Sequence, residues 1–146
     1  MRLVLAHLQA ANLEVLTLCI LYPSLARAIR HERQSLAEQW RLLVGRTPKL
    51  KKVKLHSHLP ESLSILGEDF HVSQGLTKLI LSGDNLPSKF LDAIKPENMP
   101  ALRVLDLSGT AYNTSHERTR QSEWEAAWRD AKIDCFESPR MPAFEP

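Results

Sequence analysis

The sequence predicts an α/β chain built as a repeat, with short parallel strands joined by helical or irregular returns. Three observations carry this reading. An apolar pattern recurs with a period of 26 residues. All 24 leucines fall before Ser108, so the last 39 residues must be finished differently. The middle of each copy alternates apolar and polar residues, as a half-buried strand requires. At 146 residues the chain has room for one domain. With 43% hydrophobic and 25% charged residues it belongs among globular chains rather than disordered or collagen-like ones.

The best-formed copy contains Leu76, Leu79, Leu81, Asp84 and Leu86, spelling L-x-x-L-x-L-x-x-D-x-L. Moving 26 residues forward gives Leu102, Leu105, Leu107, Thr110 and Tyr112. Moving 26 back gives Leu50, Val53, Leu55 and His58. Leu13, Leu16 and Leu18 match at a spacing of 37, and Trp128, Ala131 and Ile133 form a degenerate copy at the far end. The repeat domain is thus expected over residues 1–136, with copies starting near 13, 50, 76, 102 and 128. In each copy the middle apolar residues point inward, and Lys78, Ile80 and Ser82 point out. Gly83 and Gly109 are expected at the turns leaving their strands.

These motifs resemble the leucine-rich repeat family from about Leu13 to Ile133. Thr47-Pro48-Lys49-Leu50 and Met99-Pro100-Ala101-Leu102 enter their copies alike, with a proline two residues before the first leucine. That feature and the period are similar to the cysteine-containing type found in F-box leucine-rich-repeat proteins. His58, Asp84 and Thr110 stand where that type has its cysteine. The resemblance implies a leucine-rich repeat solenoid, a right-handed coil with a parallel sheet on its concave side. It further implies a non-enzymatic protein-binding module, in its specific form the substrate-recognition part of an F-box-like ubiquitin-ligase receptor. No F-box helices are legible in the chain.

Parallel strands need crossovers. Lys89 to Lys95 is expected as a return helix with Phe90, Leu91 and Ile94 on one face and Ser88 as N-cap, stopped by Pro96 and Pro100. The return around Glu61 to Leu66 is shorter and partly irregular. The long first interval exceeds the period by 11 residues, about three helical turns at 3.6 residues each, which keeps an apolar stripe on one face. Leu25, Ile29, Leu36, Trp40, Leu43 and Val44 supply that stripe, capped by Ser24 and ended by Gly45.

End repeats of a coil must be covered. Thr114 and Glu117 read as a capping box for a helix over about 115–131, with Trp124, Ala127, Trp128 and Ala131 at i, i+3, i+4, i+7. His116, Arg118, Arg120, Glu123, Glu125 and Arg129 would form its charged face. Lys132 to Phe136 would add a final strand, and residues 137–146 read as a disordered tail. At the other end no polar cap precedes Leu3, Val4, Leu5 and Leu8. Either this short segment suffices there, or additional repeats or a partner cover the N-terminal edge.

The net charge of +2 points to no polyanion, but its distribution is uneven. Lys49, Lys51, Lys52 and Lys54 form a basic run, and the strand pattern puts Lys52, Lys54, His56 and Lys78 on the open face. Asp106, Asp130 and Asp134 fall at its other end. The expected partner-binding residues are Lys52, Lys54, His56, Lys78, Ile80, Ser82, Asp106 and Ser108. The expected partner is another protein with an acidic patch, oriented by the charge gradient. Nucleic acid is disfavoured because no aromatics interleave the lysines. Asp106 beside Lys132, and Asp130 beside Val104, could instead be plain cross-strand neighbours.

Other chemistry has little support. His56-Ser57-His58 could share a metal and anchor a metal-dependent enzyme, yet only Glu61 lies near as a carboxylate. There is no G-x-S-x-G, glycine-rich phosphate loop or H-E-x-x-H, so no enzyme and no cofactor are expected. The alternative binding role is a scaffold or inhibitor unrelated to ubiquitin. Cys19 and Cys135 make no disulfide framework. No apolar run reaches the ~18–20 residues of a membrane span, so no membrane partner is expected. A cytoplasmic or nuclear location is expected. Secretion is the alternative, since Val15 to Leu21 is largely apolar and precedes Ala26-Arg27-Ala28, with Asn113-Thr114-Ser115 then a glycosylation acceptor.

Overall fold

The computed structural model describes residues 14–20, 47–57, 75–86 and 89–141. These form strands β1 (Val15–Ile20), β2 (Lys52–Ser57), β3 (Lys78–Asn85), β4 (Val104–Ala111) and β5 (Cys135–Glu137). Helix α1 (Phe90–Ala93) lies between β3 and β4, and helix α2 (Arg118–Asp130) between β4 and β5. The strands make one five-stranded sheet in the order β1-β2-β3-β4-β5, every neighbouring pair parallel. The chain is therefore α/β, with each strand laid beside its predecessor in sequence.

The repeat period sets the register. Val53 pairs with Leu79 and Leu79 with Leu105, each step 26 residues. Leu16 pairs with Val53 across the longer step of 37. One row thus runs Leu16, Val53, Leu79, Leu105, Phe136 across the whole sheet. The first four are buried and Phe136 packs against the same core. Leu50, Leu76 and Leu102, the opening leucine of three copies, are also buried. Burying an aliphatic side chain of this size is worth about 1.5–3 kcal/mol relative to exposing it.

A backbone motif recurs at each strand entrance. One carbonyl accepts two successive amides from the next strand. Glu14 O takes the N–H groups of Lys51 and Lys52 at 2.8 and 3.0 Å, and Lys51 O those of Thr77 and Lys78. Thr77 O takes Arg103 and Val104, and Arg103 O takes Asp134 and Cys135 at 2.7 and 3.1 Å. The Thr77 hydroxyl also donates to Lys51 O at 3.0 Å.

The fifth strand corrects the expected last copy. Val104 pairs with Cys135 and Asp106 with Glu137, a step of 31 rather than 26. Trp128 and Ala131 do not start a strand, because Arg118–Asp130 is helical and Trp128 is buried from it. Two indoles gain more by packing as a helical stripe than three residues gain as a rung. Trp124 and Trp128 both donate to Ile94 O, at 2.8 and 3.3 Å, tying α2 to the end of α1. Trp124 also meets Phe136, Phe90 and Tyr112 with ring centroids 5.7, 6.2 and 6.4 Å apart.

The start of α2 differs as well. The helix begins at Arg118 with no side-chain cap on Glu117, so the Thr114/Glu117 box is not formed. Asn113 builds the turn instead, accepting the Ser115 amide at its side-chain oxygen (3.1 Å) and the His116 amide at its carbonyl (2.9 Å). His116 is buried rather than on the charged face, and Gln121 Nε2 donates to its carbonyl at 2.7 Å. Helix α1 buries Phe90 and Leu91, with Ile94 buried just beyond, as the stripe predicts. Ser88, the expected cap, lies outside the described residues.

Gly83 and Gly109 lie inside β3 and β4, not at the turns beyond them. The register slips here, with Ser82 opposite Gly109 rather than Ser108. Gly83 takes up this irregularity at φ 130°, a left-handed value that suits glycine. Within the expected tail, residues 137–141 also depart from expectation. Glu137 closes β5, and Arg140 exchanges backbone bonds of 2.9 Å with Thr110 and Tyr112. Among the described residues no helix is long and apolar enough to cross a membrane.

Candidate functional site

Alternation divides the sheet into two faces. Val53, Leu55, Leu79, Leu81, Leu105 and Leu107 turn toward the helices, and the residues between them form the open face. On that face one row runs Val15, Lys52, Lys78, Val104, Cys135. The next runs Thr17, Lys54, Ile80, Asp106, Glu137. A third holds His56, Ser82 and, after the slip, Gly109.

The fold brings the expected residues together. Lys52 and Lys54 are exposed, and Lys78 and Ile80 are half-buried beside them. Strands stand about 4.8 Å apart, so Lys52 and Lys78 are direct neighbours. His56 and Ser82 are in register, and His56 Nδ1 contacts Ser82 Oγ. Asp106 is two strands from Lys54. Ser108, exposed, donates to Asp106 Oδ1 through its amide at 3.0 Å and its hydroxyl at 2.6 Å. Ser108 therefore holds a carboxylate in place rather than continuing the Ser82 row.

The acidic end is composed differently from the expectation. Asp106 stands beside Glu137, not Lys132, and Val104 stands beside Cys135, not Asp130. Asp130 ends α2, and Asp134 precedes β5 with its amide on Arg103 O. Glu137 is the residue that sequence reasoning missed, and the signal for it was Phe136, whose inward position forces both neighbours outward. Among the described residues, no ion pair involves Lys52, Lys54, Lys78, Asp106 or Glu137. The ion pairs found there, Arg120–Asp92 and Arg129–Glu125, belong to the helical layer.

Other features have clear structural duties. Thr110 is buried and donates to Leu107 O at 2.7 Å. Tyr112 donates to Glu125 Oε1 at 2.6 Å. Its phenol is pushed far above the usual tyrosine range, first by burial and then by the Glu125 carboxylate, with Arg129 opposing. A groove of about 210 Å³ lies between α1 and α2, lined by Leu91, Lys95, Arg120, Glu123 and Trp124 among others. Its charges are mixed, and Arg120 and Asp92 close on each other there. Among the described residues no group of three or more His, Cys, Asp or Glu could hold a metal. His58 and Glu61 lie outside those residues, as do the 24–44 stripe and the N-terminal segment. Compared with known proteins, the chain matches no family model, no curated protein and no solved structure.

Proposed function

We propose that the chain is a leucine-rich repeat solenoid acting as a non-enzymatic module that binds an acidic protein surface on its open sheet face. One observation carries this. Lys52, Lys54 and Lys78 crowd onto two adjacent strands with no ion pair among the described residues to neutralise them. Like charges side by side on a sheet oppose folding; unit charges about 6.5 Å apart in water repel by about 0.6 kcal/mol. An acidic partner recovers that cost and gains steering at a distance. The buried rows supply a rigid platform, so little order is lost on binding. The reading also suits a cytoplasmic or nuclear protein.

The test is fluorescence anisotropy of labelled polyglutamate titrated with the full chain at several salt concentrations. Binding should weaken as salt rises, and Lys52→Glu, Lys54→Glu and Lys78→Glu together should weaken it about tenfold or more. Equal affinity in the unmodified and triply reversed chains refutes the proposal. The resemblance to F-box proteins supports a narrower form, substrate recognition within a ubiquitin ligase. Recovery of a Skp-type adaptor and a cullin with the full chain would support that form. Recovery of other partners without them favours a scaffold or inhibitor.

A further inference from the structure

The open face has a second sign of charge, and the two signs are sorted by strand. Along the row Thr17, Lys54, Ile80, Asp106, Glu137, one basic residue and two acidic residues flank a half-buried isoleucine. The neighbouring row adds Lys52 and Lys78 on β2 and β3. The lysines therefore occupy β2 and β3, and the carboxylates occupy β4 and β5. Ser108 fixes the Asp106 carboxylate through Oδ1. A uniformly acidic ligand long enough to cross the sheet would gain at the first pair of strands and be repelled at the second.

We infer that the ligand of this face is an extended peptide segment lying across the strands, with an acidic residue at one end, an apolar residue in the middle and a basic residue four positions on. This deepens the binding reading above and rests on it. The spacing follows from backbone dimensions. Lys54 to Glu137 spans three strand steps, about 14 Å. An extended chain rises about 3.3 Å per residue, so positions i and i+4 lie about 13 Å apart and share one face. Position i+2 then falls over the region of Ile80 and Asp106, where an apolar side chain meets Ile80. Over the described residues the face is narrow. The four steps between five strands give a width of about 19 Å, which suits one extended segment better than the roughly 800 Å² per partner of a standard globular interface.

Three capped peptides test this against the full chain by NMR shift titration: Glu-Gly-Leu-Gly-Lys, Glu-Gly-Leu-Gly-Glu and Lys-Gly-Leu-Gly-Lys. The mixed peptide should bind tightest, by about threefold per mismatched end. Changing Asp106→Lys and Glu137→Lys together should move the preference to the all-acidic peptide. The all-acidic peptide binding the unmodified chain as well as the mixed one overturns the inference, as does no binding by any of the three. If polyglutamate still binds in a lysine-dependent way while the mixed peptide shows no preference, the broader proposal stands and only this inference falls.

Discussion

Replacing Gly109 by alanine tests the close approach of β4 to β3 at Ser82. A methyl group there would lie 2.5 Å from Ser82 Cβ and 3.1 Å from Ser82 Cα. Neither atom is the free end of a flexible chain, so the strands themselves must part. On the inner side Leu81 and Leu107 are buried and resist that movement. Overpacking of this kind costs about 1–3 kcal/mol. For a chain of this size each kcal/mol lowers Tm by about 2–4 °C, so the expected drop is roughly 2–12 °C. Thermal unfolding by circular dichroism of Gly109→Ala, Ser82→Gly and the double variant forms a cycle. Ser82→Gly removes the 2.5 Å contact and leaves the one at 3.1 Å. The double variant should therefore recover about 1 kcal/mol relative to the sum of the singles. An unchanged Tm in Gly109→Ala, or strict additivity, refutes the reasoning.

Three further outcomes follow from the same contacts. Leu79→Ala, at the centre of the buried row, should destabilise by about 3–5 kcal/mol in urea unfolding; a loss below about 1 kcal/mol contradicts the continuous row. Thr114→Ala should change stability by less than about 0.5 kcal/mol, because Thr114 is exposed in a turn and caps nothing; a loss of 1 kcal/mol or more would restore the capping box. The Tyr112 phenol is held protonated in the fold, so its stabilisation is complete below the ordinary tyrosine pKa of about 10 and lost as pH rises above it. Urea unfolding at pH 8 and pH 11 should show that loss, and Tyr112→Phe should shrink it; an equal loss in both chains removes the assignment.

Period and alternation together make the central strands legible in the sequence. A repeat of constant length keeps register automatically, so Val53, Leu79 and Leu105 had to align if the strands paired at all. The 37-residue interval kept register too, as Leu16 opposite Val53 shows. Legibility failed where a second force competed with the period. At the last copy Trp128 and Ala131 fit both a rung and the helix over 115–131; Arg118–Asp130 is helical, so only the spacing failed, and the chain needed 31 residues to return. At residues 113–121 a cluster of Asn113, His116 and Gln121 replaced the simpler capping pattern, and no spacing rule announces such a cluster. Gly83 and Gly109 recurred at the period and so resembled turn residues; what Gly109 avoids is a contact with Ser82 on another strand, which one strand's sequence cannot reveal.

Site-specific photocrosslinking tests most directly whether partners meet the open face. A benzoyl-phenylalanine in place of Ile80 sits between Lys54 and Asp106, and the same group in place of Glu123 sits on exposed α2 as a control. Illumination in the presence of the partner should give adducts from position 80 that disappear when Lys52, Lys54 and Lys78 are reversed to glutamate, and few from position 123. Adducts from position 123 alone, or adducts at position 80 indifferent to the reversal, contradict recognition through this face.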